Sequence, residues 1–302
     1  MTKRRLLITG STGFLGRAVV AVARESGEWI TIGTARKPAA LSSSDEPDFF
    51  ESWDLSREEA PTQLLEKTKP EAVIHTAAAG DAAFCRKETV ASRKINVVAS
   101  IDLAEKCAER SIPFLITSTD LVFDGTQAPY EEMAAPSPLS EYGRQKVEAE
   151  RGIQEVYPDA VVARVALLFG PPAPERPAML ARLAEMLRGS GPVRLFVDEF
   201  RSPLSTRGAA RILLSLLGNA SGLVHVGGER RVSRYELGRA LAEVWGIDPE
   251  RVKPIRQDEV PTAVPRPRDV SFETKRLREL GIPPPPFEED LFEARERDGG
   301  VR

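Results

Sequence analysis

The sequence predicts a doubly wound parallel α/β sheet followed by a smaller mixed α/β domain, on three observations. Short apolar runs alternate with helical stretches over the first 168 residues, a glycine-rich turn joins the first strand to the first helix, and a proline cluster changes the texture after Gly170. Residues 5–9 read as a buried strand, and residues 14–26 place Leu15, Val19, Val22 and Ala23 in helical register. A second strand follows at 29–35, and further strand-like runs lie at 72–77, 113–118 and 160–168. Helical patterns fill the gaps at about 60–69, 90–110 and 142–157. A helix after each strand covers a parallel sheet on both faces.

Pro171, Pro172, Pro174 and Pro177 mark a break. Beyond it the patterns predict a helix to about 188, a strand at 193–197, a helix at 205–217 and a strand at 222–226. A helix opened by the capping box Ser233 to Glu236 and a short helix at 274–280 complete the chain. The expected division is 1–168 with 204–228 as one domain and 169–203 with 229–290 as the other. Residues 291–302, charged and following Pro283 to Pro286, are expected to form a flexible tail.

At 302 residues with 41 % hydrophobic content, the chain is long and apolar enough for a sizeable core. Its net charge of −3, and the lack of basic runs interleaved with aromatics, argue against nucleic acid or an anionic membrane as partner. A small-molecule partner is expected. Neither a signal-peptide-like nor a membrane-span-length apolar stretch is evident, so a soluble cytoplasmic protein is predicted. Cys85 and Cys107 make no disulfide framework and read as reduced thiols, and His75 and His225 are too few and too scattered for a metal site.

Gly10, Ser11, Thr12, Gly13, Phe14, Leu15 and Gly16 form a G-x-x-G-x-x-G turn between the first strand and the first helix. Glycine lets the backbone approach a pyrophosphate, and the helix N-terminus offers it free N–H groups and partial positive charge, so a dinucleotide site is predicted. Where an NAD-preferring site would place an acid at the end of the second strand, Thr34 and Ala35 are followed by Arg36 and Lys37. Two cations there suit the extra phosphate of NADP, although they also read as a solvated surface pair. Asp54, beside Leu55, would accept from an adenine amino group or cap a turn. Ala77, Ala78 and Ala79 are small enough for a cofactor to lie against the backbone, and His75 just before them reads as a paired, buried strand histidine. Asn96, inside a helix, reads equally as a helix-face amide or as an organiser of water near Lys146.

Tyr142 and Lys146 are four residues apart and so share one helix face. A phenol exchanging protons near neutral pH needs roughly 4 kcal/mol of preferential stabilisation of its anion. An ammonium about 4 Å away at an effective dielectric near 20 supplies about that much.

These residues together resemble the extended short-chain dehydrogenase/reductase superfamily: the glycine loop, Asp54, Thr76 to Ala79, Asn96, Ser118-Thr119 and Tyr142-x-x-x-Lys146 occur in that family's order. Within it, Ser118-Thr119-Asp120-Leu121-Val122-Phe123-Asp124-Gly125, the Pro138 to Glu150 segment, Gly222 to Val226 and Arg266-Pro267-Arg268-Asp269 resemble the dTDP-4-dehydrorhamnose reductase branch over nearly the whole chain. The resemblance implies a Rossmann-type NAD(P)-binding domain and a substrate-binding domain. It also implies NADP, with NAD as the other option, and a keto-sugar nucleotide as substrate. Thr119 would hydrogen-bond the substrate carbonyl and Tyr142 would deliver the proton. Lys146 would lower the tyrosine pKa and hold the nicotinamide ribose. Leu121 and the segment Arg164 to Gly170 depart from the branch by lacking two of its aromatic residues, and Phe169-Gly170-Pro171 is closer to the epimerase/dehydratase pattern. An NAD-dependent nucleotide-sugar epimerase or dehydratase, and a non-catalytic NAD(P)-binding regulatory subunit, therefore stay open beside the reductase. The resemblance also leaves room for a homodimer.

Overall fold

The computed structural model describes residues 2–38, 44–170, 191–260 and 265–297, so the helix expected as far as 188 lies outside the described residues. Seven parallel strands form the central sheet: β1 (Arg4–Thr9), β2 (Trp29–Ala35), β3 (Phe49–Ser52), β4 (Ala72–His75), β5 (Phe114–Thr119), β6 (Val161–Val165) and β11 (Gly222–Val226). Their order is β11-β6-β5-β4-β1-β2-β3. The order reverses between β1 and β4, and ligands of open α/β sheets bind in the crevice at the carboxyl ends of the strands at such a switch point. Leu6, Leu7 and Ile8 are all fully buried because helices cover both faces, hence the continuous apolar run in place of an alternating one.

One face is packed by α1 (Gly16–Ser26) and α7 (Thr206–Leu216), through Val19, Ala209 and Leu213. The other carries α2 (Ala60–Thr68), α5 (Ala99–Ala108) and α6 (Glu141–Val156), through Leu64, Leu103 and Ile153. The single helix expected over 90–110 is α4 (Thr89–Arg93), one π-helical turn (Lys94–Val98) and α5; α3 (Ala82–Lys87) precedes it, with Asp81 capping the Phe84 N–H at 2.9 Å. The expected strand at 160–168 divides into β6 and the short β7 (Leu168–Phe169).

The remaining elements are β8 (Val193–Phe196), β9 (Phe200–Arg201), β10 (Leu204–Ser205), β12 (Val232–Ser233), α8 (Arg234–Val244), β13 (Val252–Ile255), α9 (Lys275–Glu279) and α10 (Phe287–Arg297). They pair as β10 with β7, β12 with β9 and β13 with β8. Val193, Leu237, Leu241 and Val252 form a separate apolar cluster with Leu291 and Ala294 of α10. The expected flexible tail is thus corrected over 291–297, where buried Leu291 and Ala294 dock a helix; residues 298–302 lie outside the described residues. Asp290 ties this helix to the start of α7, its carboxylate accepting the Ser205 N–H at 2.6 Å and the Ser205 hydroxyl. Asp290→Ala leaves that buried N–H unpaired and is expected to cost about 1–3 kcal/mol in urea unfolding.

Both histidines are buried. His75 lies between Thr9 Oγ1 at 2.6 Å and Ser100 Oγ at 2.9 Å, the satisfied strand histidine expected, and His225 stacks on Phe272 with ring centroids 4.1 Å apart. Burial, with the nearby cations Lys146 and Arg164 respectively, pushes each pKa down to about 3. The unfolded chain therefore binds these protons first as pH falls below about 6.5, and stability is lost from there toward pH 3. The loss is roughly 1.4 kcal/mol per pH unit for each histidine. Urea midpoints at stepped pH check this, and His225→Gln should reduce the slope between pH 6.5 and 5 by about half.

Candidate active site

The glycine loop closes over the carboxyl ends of β1 and β4. Gly10 has φ 70°, and a Cβ there would meet the Ala77 nitrogen at 2.7 Å; a Cβ on Gly16 would meet the Gly10 carbonyl oxygen at 2.1 Å. Both glycines are thus required by close approach of backbone to backbone. Gly10 and Ser11 donate to the Thr34 carbonyl and Gly13 to the Gly10 carbonyl. Among the described residues, the N–H groups of Thr12, Phe14 and Leu15 have no protein acceptor, and they sit where α1 begins. Such a donor set at a helix start fits a pyrophosphate.

Arg36 and Lys37 follow β2 directly and are exposed. Asp54 is taken up by a turn, its Oδ1 accepting the Ser56 N–H at 3.0 Å and the Ser56 hydroxyl at 2.7 Å; this bond is the main reason its pKa lies below the usual carboxylate range, with Arg36 and Arg57 adding to it. Asp54 thus caps a turn through Oδ1. Leu55 is half-buried beside it, and Ala77 and Ala78 are half-buried past the end of β4.

Thr119 ends β5, while Tyr142 and Lys146 occupy the first two turns of α6. The helix starts sharply because Ser140 accepts the Gly143 N–H at 3.1 Å. Gly143 then lets α6 press against the turn after β5, since a Cβ there would lie 2.4 Å from the Leu121 carbonyl oxygen. Tyr142 is brought beside the Thr119 turn by that contact. Lys146 is 2 % exposed, and its ammonium has no hydrogen bond or ion pair among the described residues. Burial pushes it down to about 8, with Glu150 partly opposing.

For Tyr142 the balance runs opposite to the expected one. Burial, then the charges of Asp120 and Cys85, push the phenol well above its ordinary value, and Lys146 is not among the groups that shift it. Four-residue spacing selects a helix face but not the distance between two side-chain ends, and here desolvation and Asp120 dominate.

Asn96 is fully buried on the π turn, where the wider winding turns it inward. Its oxygen accepts the Ala79 N–H at 2.7 Å, and its amide nitrogen donates to the Ala79 carbonyl at 3.2 Å and to Gln145 Oε1 at 2.9 Å. It therefore clamps the end of β4 to α6 and is not a helix-face amide. Gln145, one residue before Lys146, was signalled only by that adjacency.

Two further groups escape sequence reading. Glu150, one turn after Lys146, binds Arg164 at 2.7 Å and accepts the Ser118 hydroxyl, all three being buried. Asp120 lies 3.7 Å from Arg201, which lies 3.1 Å from Glu199; Arg234 and Arg266 approach Glu199 at 3.4 and 3.7 Å. Only the one-turn spacing hints at the first, and nothing local hints at the second. Among the described residues no cluster of three metal-binding side chains occurs, and no helix is long and apolar enough to cross a membrane.

The family model of the RmlD substrate binding domain matches residues 4–298. The chain is 31 % identical to the probable low-salt glycan biosynthesis reductase Agl14 of Haloferax volcanii, over 94 % of this chain and 95 % of that one. It is 29 % identical to methionine adenosyltransferase 2 subunit beta of Danio rerio, over 92 % and 85 %. Its fold is similar to that of dTDP-4-dehydrorhamnose reductase from Bacillus anthracis in complex with NADP, with a TM-score of 0.85, 21 % identity and coverage of 98 % and 100 %.

Proposed function

The chain belongs to the RmlD substrate binding domain family, and from that premise we propose that it is an NADP(H)-preferring oxidoreductase that reduces the ketone of a keto-sugar nucleotide. One observation carries the reading: Lys146, a buried lysine with no hydrogen bond or ion pair among the described residues, stands one turn from Tyr142 in α6. A buried, unpaired ammonium is costly to folding and is kept where chemistry uses it.

Thr119 would donate to the substrate carbonyl oxygen, and Tyr142 would pass its proton to that oxygen as the alcohol forms. A phenol held above its ordinary pKa is protonated at neutral pH, as a proton donor must be. Lys146 would hold the nicotinamide ribose, the unpaired N–H groups of Thr12, Phe14 and Leu15 the pyrophosphate, and Arg36 with Lys37 the additional phosphate of NADP. Reduced NADPH, when bound, supplies the hydride. Arg201, Arg234 and Arg266 gather around Glu199, with Arg201 also reaching Asp120 beside Thr119, and guanidinium groups suit an anionic nucleotide.

Mixing the protein with NADPH and dTDP-4-dehydrorhamnose should deplete the nicotinamide absorbance; no depletion would remove this substrate. Arg36→Ala is expected to weaken NADPH binding by roughly tenfold or more and to leave NADH nearly unchanged in fluorescence titrations, because only NADPH presents the phosphate. The similarity to methionine adenosyltransferase 2 subunit beta supports a second reading as a cofactor-binding regulatory subunit. That reading predicts a change in a methionine adenosyltransferase's rate on mixing and no turnover by this chain alone.

A further inference from the structure

The Asn96 clamp on Ala79 continues into α6, and every link in it has a fixed direction. The Ala79 N–H can only donate, so Asn96 turns its oxygen to it at 2.7 Å and its amide nitrogen to Gln145 Oε1 at 2.9 Å. Gln145 must then turn its own nitrogen away, and that nitrogen donates to Ser92 Oγ at 2.9 Å and to Glu141 Oε1 at 3.2 Å. Two carboxamides thus form a chain of one polarity, from the backbone past β4 through the π turn to the first turn of α6. Ser92, Asn96 and Gln145 are each no more than 1 % exposed, so a lost link leaves a buried polar group unpaired. Glu141 immediately precedes Tyr142, and Gln145 immediately precedes Lys146.

We infer that Gln145 is a positioning residue: its carboxamide sets the turns of α6 that carry Tyr142 and Lys146 against the small residues 77–79, where a cofactor is expected to lie. The inference rests on the proposed ketone reduction, and it makes the amide itself necessary. A carboxylate at 145 could accept from Asn96, but its second oxygen would meet Glu141 Oε1 and the Thr89 carbonyl, now 3.2 and 3.4 Å from Nε2, with no hydrogen to offer. An apolar side chain would leave the Asn96 nitrogen without that acceptor. The groups facing the position are Glu141, itself paired with Arg144 at 3.0 Å, the Ser92 hydroxyl and Thr89 carbonyl of α4, and Asn96, whose nitrogen lies 3.7 Å from Cys85 Sγ of α3.

Hydrogen exchange tests the link without substrate. In Gln145→Leu the Ala79 N–H should exchange at least about tenfold faster than in wild type, while the N–H groups of Leu6, Leu7 and Ile8 in β1 keep their rates. An unchanged Ala79 rate overturns the inference. Turnover tests the positioning: Gln145→Leu should lower kcat by about tenfold or more and leave the NADPH dissociation constant within about threefold, since a small displacement of α6 is felt in the transition state while the pyrophosphate contacts lie elsewhere. Comparable losses in both overturn it. Gln145→Glu should match Gln145→Leu at about pH 7.5 and recover, relative to wild type, by about threefold or more toward about pH 6, because a buried carboxyl beside Glu141 keeps its proton to higher pH and then donates as the amide does. A flat ratio, or a recovery shared by Gln145→Leu, removes the need for the amide and overturns the inference. A wild-type protein that binds NADPH yet reduces no ketone counts against the proposed function, and the exchange experiment then decides the role of Gln145 alone. Gln145→Met replaces Gln145→Leu if the latter does not fold, and failure of both to fold assigns Gln145 to the scaffold and overturns the inference.

Discussion

Tyr142→Phe is expected to lower kcat for ketone reduction by roughly a hundredfold to ten-thousandfold, the span a positioned proton donor contributes. The dissociation constant of NADPH should stay nearly unchanged, because the lost hydroxyl matters in the transition state and little before it. Stopped-flow turnover and equilibrium titration on the same preparation separate the two quantities. Comparable losses in both would make Tyr142 a binding or structural residue. The pH dependence has a defined sign: the phenol, held above its ordinary value chiefly by burial, stays protonated through neutrality, while Lys146 loses its charge as pH rises through about 8, so reduction should hold at neutral pH and fall above about 8.

Glu150→Ala is the second large effect. It removes the carboxylate that accepts from both Nε and Nη2 of Arg164, at 3.1 and 2.7 Å, and from Ser118. Arg164 is 1 % exposed, so the variant buries an uncompensated guanidinium, at a cost of about 3–5 kcal/mol. Urea unfolding should show a lower midpoint with an unchanged slope. Glu150 is also the acid that partly offsets the burial of Lys146, so the lysine pKa should fall below its value of about 8 in any variant that still folds. A midpoint within error of wild type would mean that Arg164 finds another partner.

Much of the architecture is legible in the residues. Alternating apolar and amphipathic runs locate β1, β2, α2, α6, α7 and β11 to within a residue or two, because a strand buried on both faces and a helix buried on one each leave a periodic trace. The glycine loop is legible for the same local reason: Gly10 needs a left-handed φ and Gly16 has no room for a Cβ. The capping box at Ser233 and Glu236 is present as read. Two places where the pattern misleads are instructive. The π turn at Lys94–Val98 breaks a helix whose sequence looks uninterrupted, since the bonds of Asn96 to Ala79 and Gln145 come from other elements. The charged end of the chain reads as solvated, yet α10 folds there because Leu291 and Ala294 find the apolar face of α8 and Asp290 finds Ser205.

The sequence by itself determined most strands of the sheet, the dinucleotide loop and the joint placement of Tyr142 and Lys146 on one helix face, since these depend on backbone geometry and on spacings within a few residues. Only the tertiary structure decided the electrostatics of the site: which way the phenol shifts, that Lys146 is buried with no ion pair among the described residues, and that Asp120 is tied to Arg201, which also pairs with Glu199. Desolvation and charge pairing depend on what packs around a group from distant parts of the chain, and β9 and α8 reach Asp120 only when the fold is complete.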